Sequence, residues 1–275
     1  MDFDIALPSG RIRARRWGPR GAPLLLCVPG LSANLCAYTA IAAQLASPQR
    51  QVIAMDLRGA GRSQITPAGS YGMASHARDV LALADAVGAA RFDLAGWSLG
   101  ALIAMQVAVL DGARLRSVTL IDHAGPTDRG ALAPVRDGLA RLDMVVGDPQ
   151  EYLDAVRAMG HVVPWSPFWD AYHRYELQEL GDGSWSQSTR RAAAEEDLHQ
   201  RWPRDWSPYW QALTMPTTLV RALQPLGDAL VVPETAVQAL LAAKPDVRVV
   251  VAPGANHYTC LEDSVTAAAI SSSQY

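Results

Sequence analysis

The chain has 275 residues, 49% hydrophobic and 19% charged, enough apolar material for the core of one large α/β domain with room for an insertion. A formal net charge of −3 gives no support for a nucleic-acid surface. No apolar run is long enough to cross a bilayer, and Met1-Asp2-Phe3-Asp4 has neither a basic nor an apolar leader, so no signal peptide is expected.

Residues 3–7 and 11–17 predict a hairpin across Pro8-Ser9-Gly10. Leu24 to Val28 is a continuous apolar run, as expected of a strand buried on both faces. A helix over 35–46 and a buried strand from Val52 to Met55 follow. Residues 73–87 read as an amphipathic helix stopped by Gly88. Next come strand 92–95, helix 99–110 and strand 117–121. Much later the same rhythm resumes with strand 217–221, helix 234–243, strand 247–251 and a short helix near 261–270. Repeated β-α units imply an α/β fold, a mostly parallel central sheet with helices on both faces.

Residues 126–211 break that rhythm. Their patterns are helical, at about 131–145, 149–159, 166–180 and 188–201, and they hold six of the eight tryptophans. They read as a helical cap inserted into a core made of 1–125 and 212–275. The tryptophans either bury the insertion against the core or line an apolar pocket.

Three cysteines, Cys27, Cys36 and Cys260, lack metal-ligand spacing and cannot all pair, which fits a reducing cytoplasm. No histidine pair has a metal-binding spacing, so no metal is expected. Basic charge is almost all arginine, Lys244 being the one lysine, and alanine is abundant, a composition that suggests a GC-rich bacterial genome.

The most informative string is Gly96-Trp97-Ser98-Leu99-Gly100, between an apolar strand and an apolar helix. The glycines permit a sharp strand-to-helix turn that projects the Ser98 hydroxyl, and the helix start favours nearby negative charge. A serine hydroxyl needs a base to become a nucleophile. His257 is the candidate base, following strand 247–251 and a Pro253-Gly254 break, at the strand end where functional groups gather in parallel sheets. A third group must orient the histidine. Asp228 is the first candidate, on a Pro- and Gly-rich loop after strand 217–221, and Asp122, at the end of strand 117–121, is the rival. His76 reads as solvated, and His123 as structural although able to approach the site.

These strings resemble the α/β-hydrolase superfamily, in particular its cap-bearing serine-esterase-like members. The elbow carries the resemblance, together with Asp56-Leu57-Arg58-Gly59-Ala60-Gly61-Arg62-Ser63 and Gly254-Ala255-Asn256-His257. The resemblance implies a Ser98, Asp228, His257 triad and an oxyanion hole from the backbone amides of Leu31 and Leu99. Two family histidines are replaced, by Pro29 in the first segment and by Ala60 in the second, while backbone donors survive those changes.

The expected activity is hydrolysis of carboxylic esters of hydrophobic small molecules through an acyl-serine, without cofactor. Trp97, Trp165, Trp169, Trp206 and Trp210 are the candidates for substrate contact. The alternatives are a C–C bond hydrolase using the same triad and a non-enzymatic ligand receptor on a hydrolase scaffold. The expected partner is a small-molecule ester, with no nucleic acid and no membrane, and a homodimer is compatible with the chain.

Overall fold

The computed structural model describes residues 1–127, 129–200 and 202–272, apart from the side chains of 129, 132, 133 and 136. The N-terminal hairpin pairs β1 (Asp2–Leu7) with β2 (Gly10–Trp17), closed by Gly10 at φ 130°. The five residues of β3 (Leu24–Val28) are all buried, as their unbroken apolar run requires. A short 3-10 turn leads into α1 (Thr39–Leu45), then β4 (Gln51–Met55). The amphipathic helix α2 (Met73–Ala86) packs on α3 (Leu99–Asp111), which follows directly from β5 (Phe92–Trp97). Then comes β6 (Leu115–Ile121).

The insertion contains α4 (Leu132–Ala140), β7 (Val145–Val146), α5 (Pro149–Ala158) and α6 (Pro167–Tyr175). It continues through β8 (Leu177–Glu179), β9 (Trp185–Gln187), α7 (Arg191–His199) and α8 (Ser207–Gln211). It is therefore not wholly helical. The three short strands form a separate antiparallel sheet in the order β7-β9-β8. The core resumes with β10 (Thr217–Ala222), α9 (Glu234–Ala243), β11 (Arg248–Ala252) and α10 (Ser264–Ser272).

Among the described residues the central sheet has eight strands in the order β1-β2-β4-β3-β5-β6-β10-β11, parallel from β4 onwards. The chain is an α/β fold with apolar clusters on both sheet faces. Because β6 pairs with β10, the entire insertion enters and leaves at neighbouring strands. The entry strand β6 lies directly beside β5, the strand that leads into Ser98.

Polar groups tie the insertion to core loops. His76 on α2 is fully buried, with Nε2 2.9 Å from both carboxylate oxygens of Asp197 on α7. Its burial corrects the solvated reading, because a partner from the insertion covers it. The Tyr175 hydroxyl donates to Asp56 at 2.7 Å, and the Asp56 carboxylate also accepts from the amides of Leu35 and Arg62. Burial pushes the Asp56 carboxyl up to about 6, against those donors. Arg58 holds Asp79 with two hydrogen bonds at 2.7 Å. The Asp-x-Arg-Gly string is thus the seat of the insertion.

Candidate active site

Ser98 sits at the junction of β5 and α3 with φ 56° and ψ −121°. A non-glycine residue persists in such a conformation only where its surroundings impose it, at roughly 1–3 kcal/mol. A Cβ on Gly96 would meet the Gly100 carbonyl, and one on Gly100 the Val28 carbonyl, so glycine is required on both sides. The Ser98 amide donates to Ile121 O at 3.0 Å, which anchors the elbow to β6.

His257 follows β11 and is 4% exposed. Its carbonyl accepts from Trp97 Nε1 at 2.8 Å and from the Cys260 thiol at 3.2 Å. Its ring lies 5.3 Å from that of Trp97. Nε2 is 3.0 Å from Ser98 Oγ, and Nδ1 is 2.8 Å from Asp122 Oδ2. A carboxylate only accepts, so Nδ1 carries the hydrogen and Nε2 is left to accept from the serine.

The carboxylate on His257 is Asp122, and the choice of Asp228 is corrected. Asp228 is exposed in the turn closed by the Leu226–Ala229 bridge. Asp122 is 1% exposed and accepts the Ala222 amide with Oδ1 at 2.9 Å. Its φ of 48° turns the chain at the end of β6 so that the side chain faces the β11 loop. The signal available in the sequence was an Asp abutting the strand end with no intervening loop.

Among the described residues only three non-glycine positions have a left-handed φ: Ser32, Ser98 and Asp122. Ser32 adjoins Leu31, whose side chain lines the same cavity as Ser98 and Leu99. Arg141, at the end of α4, donates to Ser32 O at 3.0 Å and pairs with Glu176 at 3.1 Å. Glu176 is 1% exposed and also meets His173 and Tyr152. Burial alone would raise it, but the Arg141 charge and His173 hold its carboxyl down to about 2.

Above Ser98 and His257 lies a cavity of about 410 Å³. The core contributes Leu31, Leu99, Leu102 and Val231, and the insertion contributes Val135, Leu198, Trp202 and Trp206. Of the tryptophan candidates, Trp206 lines the cavity, and Trp202 lines it too. The other tryptophan candidates are placed elsewhere. Trp97 is tied to the His257 carbonyl, and Trp169 is fully buried among Phe168, Tyr172 and Tyr258. Trp165 donates to Asp170 and stacks on His173, and Trp210 donates to Ala124 O from the core. Rings that bury whole faces in packing have no face left for a ligand.

The family model for the α/β-hydrolase fold matches residues 23–264. The chain belongs to the α/β-hydrolase family. A putative carbamate hydrolase, RutD, of Variovorax paradoxus is 28% identical over 253 residues, covering 92% of this chain and 90% of the relative. N-formylmaleamate deformylase of Pseudomonas putida is 32% identical over 116 residues, 42% of each protein. The crystal structure of E-2-(acetamidomethylene)succinate hydrolase superposes with a TM-score of 0.87 at 23% identity, covering 99% of this chain and 98% of that one. An α/β hydrolase from Novosphingobium aromaticivorans gives a TM-score of 0.83 at 24% identity, over 100% and 97%. These two likenesses are ones of fold. Among the described residues no group of His, Cys, Asp and Glu gathers as a metal site, and no helix is long and apolar enough to cross a membrane.

Proposed function

We propose that this α/β hydrolase cleaves carboxylic esters of hydrophobic small molecules through an acyl-serine intermediate. The observation that carries the reading is the hydrogen-bonded chain Asp122–His257–Ser98 at the floor of a largely apolar cavity. Ser98 Oγ attacks the ester carbonyl as His257 Nε2 takes its proton. Asp122 keeps the imidazole in the required tautomer and stabilises the imidazolium. Leu99 opens α3, where N–H groups have no intrahelical acceptor, so its amide can serve the developing oxyanion. The Leu31 amide is the second donor in this reading. His257 then returns its proton to the leaving alcohol, and water releases the acid by the same route in reverse.

A second reading, cleavage of an amide or carbamate, is favoured by the names of the two relatives, a putative carbamate hydrolase and a deformylase. The same triad serves it, with His257 protonating an amine. The experiment is a panel of p-nitrophenyl esters of rising acyl length beside matched anilides and carbamates. The ester reading expects kcat/KM to rise with apolar chain length and esters to dominate. Turnover confined to the nitrogen substrates would move the assignment to the second reading.

A further inference from the structure

The cavity wall is apolar over most of its extent, and beyond Ser98 and His257 it is interrupted by His123, Thr127, Asp197 and His199. His123 and Thr127 both line the cavity, on the loop that follows β6. The Gly125 amide donates to His123 Nδ1 at 3.2 Å, and His123 Nε2 lies 3.1 Å from Thr127 Oγ1. A neutral imidazole has one accepting and one donating nitrogen. Nδ1 accepts, so Nε2 bears the hydrogen and gives it to Thr127 Oγ1. The threonine oxygen is then engaged as an acceptor, and its own hydroxyl hydrogen is left for an acceptor other than His123. Desolvation in the pocket and the neighbouring His257 hold the His123 pKa down to about 3, so this arrangement persists at neutral pH. Asp197, the carboxylate on the same wall, is already engaged by His76 and by the Gly72 amide.

We infer that the Thr127 hydroxyl, oriented by His123, is a specificity determinant that donates to an acceptor oxygen within the substrate. The substrate class is a hydrophobic ester carrying a keto or ether oxygen in its acyl chain or its alcohol. The inference rests on the ester-hydrolase reading above. A hydrocarbon of the same length leaves that donor unpaired in an apolar cavity, which carries a desolvation cost. A site built to hydrogen-bond a substrate group rejects the analogue lacking it far more strongly than an apolar pocket senses one methylene.

The test pairs esters of equal chain length. p-Nitrophenyl laevulinate and acetoacetate are compared with the valerate and butyrate, and the methoxyethyl ester of one common acid with its butyl ester. In the parent, kcat/KM favours the oxygenated member of at least one pair by about tenfold or more. Thr127→Val collapses that preference towards one, and Thr127→Ser restores it. His123→Leu, which frees the hydroxyl to rotate, weakens it. No preference in any pair, or a preference that survives Thr127→Val, overturns the inference. If the parent turns over none of these esters, the ester-hydrolase reading fails instead. Calorimetric binding of the same pairs to Ser98→Ala then reads the preference without turnover, with the same two outcomes.

Discussion

Asp122 accepts the Ala222 amide with Oδ1 at 2.9 Å, which leaves Oδ2 for His257 at 2.8 Å. The Ala222 bond locks the carboxylate plane against β10, so the orientation of the histidine is inherited from the sheet rather than from a loop. Asp122 also receives its position from the ladder, since its own amide donates to Val220 O at 2.8 Å.

Asp122→Asn is therefore expected to lower kcat by roughly 10⁴-fold, because an amide stabilises the wrong imidazole tautomer. Asp228→Asn, on an exposed turn, is expected to stay within a few-fold of the parent. Steady-state kinetics on the preferred ester decide it. A large loss in the Asp228 variant together with a small one in the Asp122 variant would return the role to the longer loop.

Ser98→Ala is expected to remove activity by roughly 10⁴-fold or more while the protein remains folded by circular dichroism. A serine-reactive phosphonate should modify the parent at Ser98 and leave the variant unmodified. Labelling at another residue would contradict the assignment.

The Arg141–Glu176 pair joins α4 to the loop after β3 through Ser32, and both members are largely buried. Glu176→Gln leaves Arg141 without its counter-charge and is expected to destabilise the protein by roughly 3–5 kcal/mol. Its pH signature follows from linkage. The Glu176 pKa is depressed from 4.5 to about 2 in the folded protein, so the unfolded chain binds more protons between those values. The stabilisation is complete above about pH 4.5 and is lost as pH falls towards 2. In the Glu176→Gln variant, stability should vary less across that window in denaturant titrations. An unchanged slope would show that the pair does not control acid unfolding.

The tryptophans should divide into two groups. Trp202 and Trp206 line the cavity, so truncation to Ala is expected to change KM and chain-length preference. Trp169 and Trp210 are buried in packing, and truncation there should cost roughly 3–5 kcal/mol of stability and leave the substrate profile in place. Melting temperatures and kcat/KM across an ester series separate the two. A profile shift at Trp169 without loss of stability would place that ring at the ligand.

Much of this protein was legible in the chain itself. The run at 24–28 is apolar throughout because a parallel strand is covered on both faces, the strands expected at 92–95 and 217–221 are found at 92–97 and 217–222, and the helix over 234–243 appears where its pattern placed it. Ser98 and His257 were readable because each lies in a short local string with its own turn chemistry. The small sheet of the insertion was not, since two- and three-residue strands such as Val145–Val146 carry no periodicity to detect.

The carboxylate was a different problem. Asp122 and Asp228 both follow strands of the same parallel sheet, and nothing local to either says which one turns towards residue 257. That choice depends on the left-handed turn at Asp122 and on β10 lying beside β6 to supply the Ala222 amide. The tryptophans pose the same difficulty, for an indole ring is apolar whether it meets a ligand or another ring. Local strings pointed to Ser98 and His257 because a single turn presents each of them. The carboxylate that meets His257 and the make-up of the cavity wall were decided only when the fold brought residues far apart in the chain together, since a hydrogen bond is set by distance and direction in space.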